Sequence, residues 1–374
     1  MRKRLLQVCL LSTACFALAA CTVQGASSSS TANSTSSPSK ASSVSSTNSS
    51  AGSFSTSSGS ILSVVTQTAD DIVVNLPEVD DTYTEPVKHE GTLDYVSYTT
   101  PEYDDTSKII EKYAIVYTPY GYDQSLEYDF MYLMHGATLE ADAWLGTPED
   151  PSAAKRCLDH LIDEGAVRPM VVVCPSYYDT EDHIDDEAWD AELTKGYASE
   201  LKNDLMPVVE SAYSSFARGT SEADFVASRD HRIIGGFSMG AVTTWYRMAD
   251  SMSYFHYYFP VSGSLHWGVA EDQAYGDWIG AYLADAVTAQ GYGMNDFFVY
   301  MATGSADYAL EPLTGQIDSM ILRTNSFAFG DPANPNVNCS YGLVQNAEHD
   351  HEILYKYIYA AMPVLSNRIT AASE

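Results

Sequence analysis

The chain has 374 residues, carrying 50 Asp plus Glu against 19 Lys plus Arg, for a formal net charge of −31 at pH 7. A chain this acidic is repelled by polyphosphate and by anionic lipid, which argues against nucleic-acid binding and against docking of the folded part directly on a membrane surface.

Arg2-Lys3-Arg4 forms a basic start, followed by a mostly apolar stretch over residues 5–17 that is too short for a convincing membrane span. Leu18-Ala19-Ala20-Cys21 closes it. Small residues ahead of a Cys have the form of a bacterial lipobox, so residues 1–20 are expected to be a lipoprotein signal peptide and Cys21 the lipidated residue. Ser, Thr, Asn, Ala and Gly dominate residues 26–60, with no apolar periodicity. Such a segment cannot bury enough surface to fold and reads as a flexible tether. The expected organisation is thus a signal over 1–20, an anchored tether over 21–60 and one folded domain over 61–374. Its place is the outer face of a cell membrane, held by lipid alone, and a long Ser-rich tether suits a Gram-positive surface. Of six Cys, Cys9 and Cys15 leave with the signal and Cys21 is lipidated. Cys157, Cys174 and Cys339 remain, an odd number, and no disulfide is expected.

Residues 70–90 are acidic and irregular, a lead-in or an extra edge strand. Residues 112–117 read as a strand. Phe130-Met131-Tyr132-Leu133-Met134 reads as a buried strand running into His135-Gly136-Ala137. Helical patterns over 153–166 and 192–213 flank a further strand at 170–174. The acidic run 179–190 contains His183 but has no diagnostic metal-ligand spacing, and it reads as a solvated loop. Alternating strands and helices of this kind suit a doubly wound, mostly parallel sheet with helices on both faces.

Arg232-Ile233-Ile234-Gly235 is a buried strand by pattern, and Ala241 to Met248 a helix. Between them stands Gly236-Phe237-Ser238-Met239-Gly240. A serine at the apex of a strand–turn–helix is the context that makes G-x-S-x-G a nucleophile motif, and the following helix start favours developing negative charge. The glycines leave room where strand and helix cross.

A nucleophilic serine needs a base, and the base an orienting acid, in the chain order Ser, Asp or Glu, His. Residues 297–302 form a late apolar strand ending in Thr303-Gly304-Ser305-Ala306-Asp307, which places Asp307 as the acid. The next strand, 341–345, is followed by Glu348-His349-Asp350-His351-Glu352 and an amphipathic helix over 353–365. Either His349 or His351 can be the base on pattern alone. His256 reads as a packing or capping residue. His135, upstream of the serine, reads as a turn residue bonding local backbone. The oxyanion of an acyl-transfer intermediate needs two backbone N–H donors, assigned to Met239 and Ala137. Trp144, His266 and Trp267 fall in loops at the same sheet edge and are expected to line the substrate pocket. This chemistry needs no metal and no organic cofactor.

His135-Gly136, Trp144, the Gly236–Gly240 motif, Thr303 to Asp307 and the His349 region together resemble the esterase-D-like hydrolases, and within them carbohydrate esterase family one, the feruloyl and acetylxylan esterases. The resemblance runs from about residue 91 to 365. It implies an α/β-hydrolase fold and a serine carboxylic-ester hydrolase acting on feruloyl or acetyl esters of a plant cell-wall polysaccharide such as xylan, through an acyl-enzyme. The family spacing between the catalytic His and a later Pro, matched by Pro363 fourteen residues after His349, selects His349 over His351. Glu348 stands where the family often has Gly, and Ala137-Thr138-Leu139-Glu140 replaces a Gly-rich stretch. Two further readings follow from the same scaffold: an acyltransferase of the mycolyltransferase type, and a non-catalytic surface carbohydrate-binding lipoprotein.

Overall fold

The computed structural model describes residues 67–373 apart from 104, 179–183, 185–186 and 266–277. The expected signal, Cys21, the tether, His183, His266 and Trp267 therefore lie outside the described residues.

Nine strands form one sheet: β1 (Val73–Asn75), β2 (Thr92–Pro101), β3 (Ile109–Thr118), β4 (Asp129–Met134), β5 (Met170–Pro175), β6 (Arg232–Phe237), β7 (Tyr257–Val261), β8 (Phe298–Gly304) and β9 (Cys339–Val344). Their spatial order is β1-β9-β8-β7-β6-β4-β5-β3-β2. From β5 through β4, β6, β7, β8 and β9 to β1 every pair is parallel, and the β3–β5 and β2–β3 pairs are antiparallel. The sequence explains the split. β4, β5 and β6 are buried at every position, as strands covered on both faces must be. β2, at the edge, alternates buried and exposed residues.

The sheet separates two apolar layers. On one face Trp245, Met248, Leu283 and Leu313, from the helices Met239–Asp250, Trp278–Ala289 and Leu310–Ile321, pack on Tyr132, Ile234 and Val299. On the other, the helices Ala153–Asp163 and Leu354–Ser373 pack on Met131, Ile233 and Phe259. The last helix buries Leu354, Tyr357, Ile358, Ala361, Met362, Leu365 and Ile369, an i, i+3, i+4 stripe. It continues through Pro363 to Ser373 and so outruns the 353–365 helix expected from sequence. The helical stretch after Glu187 is broken in type. A π turn over Leu201–Leu205 precedes Pro207, which has no N–H to give an i−4 carbonyl.

Buried charges are paired. Arg232, at the start of β6, donates from Nε and Nη2 to Glu210 at 2.7 and 2.8 Å, and the Tyr132 hydroxyl donates to the same carboxylate at 2.8 Å. Both ionic side chains are essentially fully buried. This two-pronged pair ties the root of β6 to the helix Met206–Ala212. Cys157, Cys174 and Cys339 are buried free thiols.

Candidate active site

In a parallel sheet the loops after adjacent strands emerge at one carboxyl edge. β6, β7, β8 and β9 are consecutive in the sheet, so the loops bearing Ser238, Asp307 and His349 share that edge.

Ser238 sits between β6 and the helix Met239–Asp250 with φ 56° and ψ −114°, a strained geometry for a residue with a side chain. Its N–H donates to the Val261 carbonyl at 2.9 Å, and its carbonyl accepts from Ala241 at 2.9 Å. The tight turn explains the flanking glycines. A Cβ on Gly240 would collide with the Met134 carbonyl, and one on Gly236 would lie 2.6 Å from Gly240 Cα. With both absent, β4, β6 and the helix cross closely and the Ser238 side chain is left partly exposed at the edge.

Asp307 follows β8, and its side chain is fully buried. Its Oδ1 accepts from the Ala309 N–H at 2.7 Å and from His349 Nδ1 at 2.8 Å. The bond to Ala309 fixes the carboxylate. The carboxylate in turn holds the proton of His349 on Nδ1 and leaves Nε2 as the basic nitrogen. Two aromatic rings grip the same imidazole: Phe237, with centroids 4.6 Å apart, and Tyr308, at 4.1 Å. Phe237 precedes Ser238 in the chain, and the Tyr308 hydroxyl lies beside the Ser238 side chain. The clamp therefore places the imidazole of His349 next to the serine. His351 is elsewhere: its ring is 42% exposed and lies 3.9 Å from Asp350 and 3.8 Å from Glu352.

The second wall of the site is the turn after β4. Gly136 packs so closely that a Cβ there would lie 3.3 Å from Ser238 Cβ. Within the turn, the Thr138 N–H donates to the Tyr178 hydroxyl at 3.0 Å and the Leu139 N–H to the Gly136 carbonyl at 3.3 Å. That leaves the Ala137 N–H without an acceptor among the described residues. The Met239 N–H lies in the first turn of its helix, where N–H groups have no intrahelical acceptor. These two groups are the donors available to an oxyanion.

His135 turns away from the serine. Its Nδ1 donates to the Gly136 carbonyl at 2.7 Å and its Nε2 lies 2.9 Å from the Ser176 hydroxyl. Burial without a carboxylate partner pushes it down to about 4, so it is a neutral strut for the turn. His256 bonds Asp230 at 2.7 Å, away from the site. Trp144 is almost wholly buried. Only 1% exposed, its ring packs near Phe259, and its Nε1–H donates to the Met134 carbonyl at 2.9 Å. The indole props up the end of β4 from within the core, where it satisfies its one donor, and the residue also forms part of the wall of a neighbouring cleft. Sequence reasoning missed Phe237 and Tyr308 as site residues. Their adjacency to Ser238 and Asp307 was the available signal. Among the described residues no group of His, Cys, Asp and Glu is arranged to hold a metal.

Known proteins share this fold. The Esterase family model matches residues 111–352. Endo-1,4-beta-xylanase Y of Acetivibrio thermocellus is 31% identical over 254 residues, 66% of this chain, and the match spans only 21% of that protein's length. A serine-to-alanine mutant of the feruloyl esterase module from Clostridium thermocellum, complexed with sinapinate, is 28% identical with a TM-score of 0.65, covering 78% of this chain and 94% of that one. A ferulic acid esterase from Anaeromyces mucronatus shares the fold at 17% identity, with a TM-score of 0.53 and coverage of 78% and 98%. With a strained serine at the strand–helix turn, a buried Asp–His pair beside it and a family match that spans both, the chain belongs to the Esterase family and has the α/β-hydrolase fold.

Proposed function

We propose that the chain removes hydroxycinnamoyl groups, of which feruloyl is the type, from a plant cell-wall polysaccharide such as xylan; acetyl is the smaller acyl alternative. The observation that carries the catalytic part is the 2.8 Å bond from His349 to Asp307, with the imidazole clamped beside the partly exposed Ser238. Ser238 Oγ attacks the ester carbonyl as His349 Nε2 takes its proton. Asp307 holds the imidazole and stabilises the imidazolium. The N–H groups of Met239 and Ala137 stabilise the oxyanion. His349 returns the proton to the departing sugar hydroxyl, and water, activated by the same nitrogen, frees the acid from the acyl-enzyme.

The substrate class is supported by the similarity to the sinapinate-bound feruloyl esterase module and to a xylanase. It is tested by a panel of methyl ferulate, acetylated xylan and nitrophenyl esters of rising chain length. Preference for methyl ferulate supports the reading, and turnover of nitrophenyl esters alone overturns the substrate assignment. We further propose that the enzyme is held at the outer membrane face through lipid on Cys21. Among the described residues no helix is long and apolar enough to cross a membrane.

A further inference from the structure

Tyr95 on β2 and Tyr113 on β3 stand together on one face of the sheet, with ring centroids 5.5 Å apart and planes at 79°. They are 50% and 41% exposed. Farther along the same strands this face turns Leu93, Ile115 and Tyr117 into the core. Core packing therefore accounts for those three residues and not for the exposed pair. A lone exposed ring is ordinary, but two touching rings on an open strand face make a patch that invites a partner.

The surroundings say which partner. The Tyr95 hydroxyl donates to Glu149 at 3.3 Å. Burial pushes the Tyr113 phenol up, and the carboxylates of Glu140 and Asp142 lie near enough to add to it. Glu140 and Asp142 also line a cleft of about 540 Å³, together with Thr147, Ser152, His351 and Tyr355. No Lys or Arg lines it. Its volume is in the range of small-ligand sites. The cleft also reaches Leu139, whose Cδ1 lies against Gly136, and Gly136 in turn abuts Ser238. The walls of this polar cleft, rich in acceptors, thus neighbour both the turn that abuts the serine and the tyrosine pair.

A sugar chain has the matching chemistry. Its hydroxyls donate to carboxylates and threonine or serine oxygens, and the C–H faces of its rings lie on aromatic rings. An anionic polymer is excluded by the carboxylates. We propose that this cleft and the Tyr95–Tyr113 platform hold the polysaccharide that carries the ester, a neutral glycan chain, at sugar units remote from the scissile bond. The proposal rests on the reading of the chain as an esterase acting on polymer-linked esters.

The test uses the double variant Tyr95→Ala/Tyr113→Ala on two substrates. On methyl ferulate, which is too small to reach the platform, kcat/KM stays within about twofold of wild type. On feruloylated arabinoxylan it falls about tenfold, chiefly through KM. Binding is read separately by native electrophoresis of Ser238→Ala, with and without the two tyrosine changes, through gels containing neutral arabinoxylan or polygalacturonate. Retardation by arabinoxylan alone, lost with the tyrosines, supports the platform. Equal losses on both substrates, no loss on either, or retardation that survives the tyrosine changes overturns it. If the wild-type enzyme fails on methyl ferulate, the functional reading fails, and the gels still decide whether the platform binds glycan.

Discussion

Tyr308 lies stacked on His349, with ring centroids 4.1 Å apart and planes 30° from parallel, while the residue as a whole is 74% exposed. An exposed aromatic directly after the buried Asp307 thus roofs the imidazole that Asp307 orients, and Phe237 forms the floor. Such a sandwich restricts rotation about the His side chain. It also offers two π faces to the imidazolium that forms when Ser238 is deprotonated. One face of this kind contributes about 1 kcal/mol.

Tyr308→Ala is therefore expected to lower kcat on methyl ferulate about fivefold, the equivalent of about 1 kcal/mol of barrier. Tyr308→Phe keeps the stacking face and should stay within about twofold of wild type. Steady-state kinetics of both variants separate ring from hydroxyl. If the two fall equally, the hydroxyl beside Ser238 is what matters and the stacking argument fails.

His349 and His351 are two residues apart, and the structure gives them different tasks. His349 is held by Asp307, while His351 faces solvent at the rim of the acidic cleft. His349→Ala should reduce turnover by roughly 10⁴-fold or more, as should Ser238→Ala, because triad members act as a unit. Asp307→Asn should also impair it strongly, since the imidazole loses its orienting acceptor. His351→Ala should cost at most about tenfold on a small activated ester. Measuring these variants with one nitrophenyl ester checks the assignment; activity surviving in His349→Ala but lost in His351→Ala would reverse it.

The parts of this site that rest on period and punctuation could be read from sequence. Apolar runs bounded by turn residues mark β4, β5, β6, β8 and β9, and the glycines around Ser238 announce the tight turn. What stayed open or escaped depends on partners distant in sequence. β1, the extra edge strand that is one of two sequence readings of residues 70–90, is only Val73–Asn75 and is a strand because β9 offers it an edge. Trp144 lies at the predicted sheet edge, but no pattern says that its indole turns inward to the Met134 carbonyl. The clamp on His349 depends on how the Asp307 turn aims Tyr308, which is a property of the assembled loops.

His135 makes stability depend on pH. Its ordinary value of 6.5 falls to about 4 in the buried turn, because burial opposes the charged form. Between those values the unfolded chain binds a proton that the folded one refuses, so this residue makes stability fall as pH drops from about 6.5 towards 4. The full effect is up to about 3 kcal/mol. Replacing the titrating ring, as in His135→Gln, costs stability at pH 7.5, where the native hydrogen bonds to Gly136 and Ser176 are lost. The gap between variant and wild type should narrow by pH 4.5. Urea denaturation of both proteins at the two pH values measures this. A gap unchanged by pH would show that His135 titrates normally in the folded protein.

Cys21 provides the test of where the enzyme works. It follows Leu18-Ala19-Ala20 and precedes a Ser- and Thr-rich stretch with no apolar periodicity. Nothing in that stretch or in the acidic catalytic domain has the charge to hold an anionic membrane. In the proposed anchoring, retention comes from acyl chains on the Cys21 thiol, and two chains give stable anchoring where one gives only reversible binding. Cys21→Ser should move the protein from the membrane pellet to the soluble fraction of cells expressing it. Its kcat on methyl ferulate should be unchanged, because Cys21 contributes no group to the chemistry at Ser238, Asp307 and His349. Fractionation followed by an activity assay of each fraction reads both outcomes together. Equal membrane retention of wild type and Cys21→Ser would exclude the lipid anchor and require an apolar segment elsewhere in residues 1–20 to hold the chain.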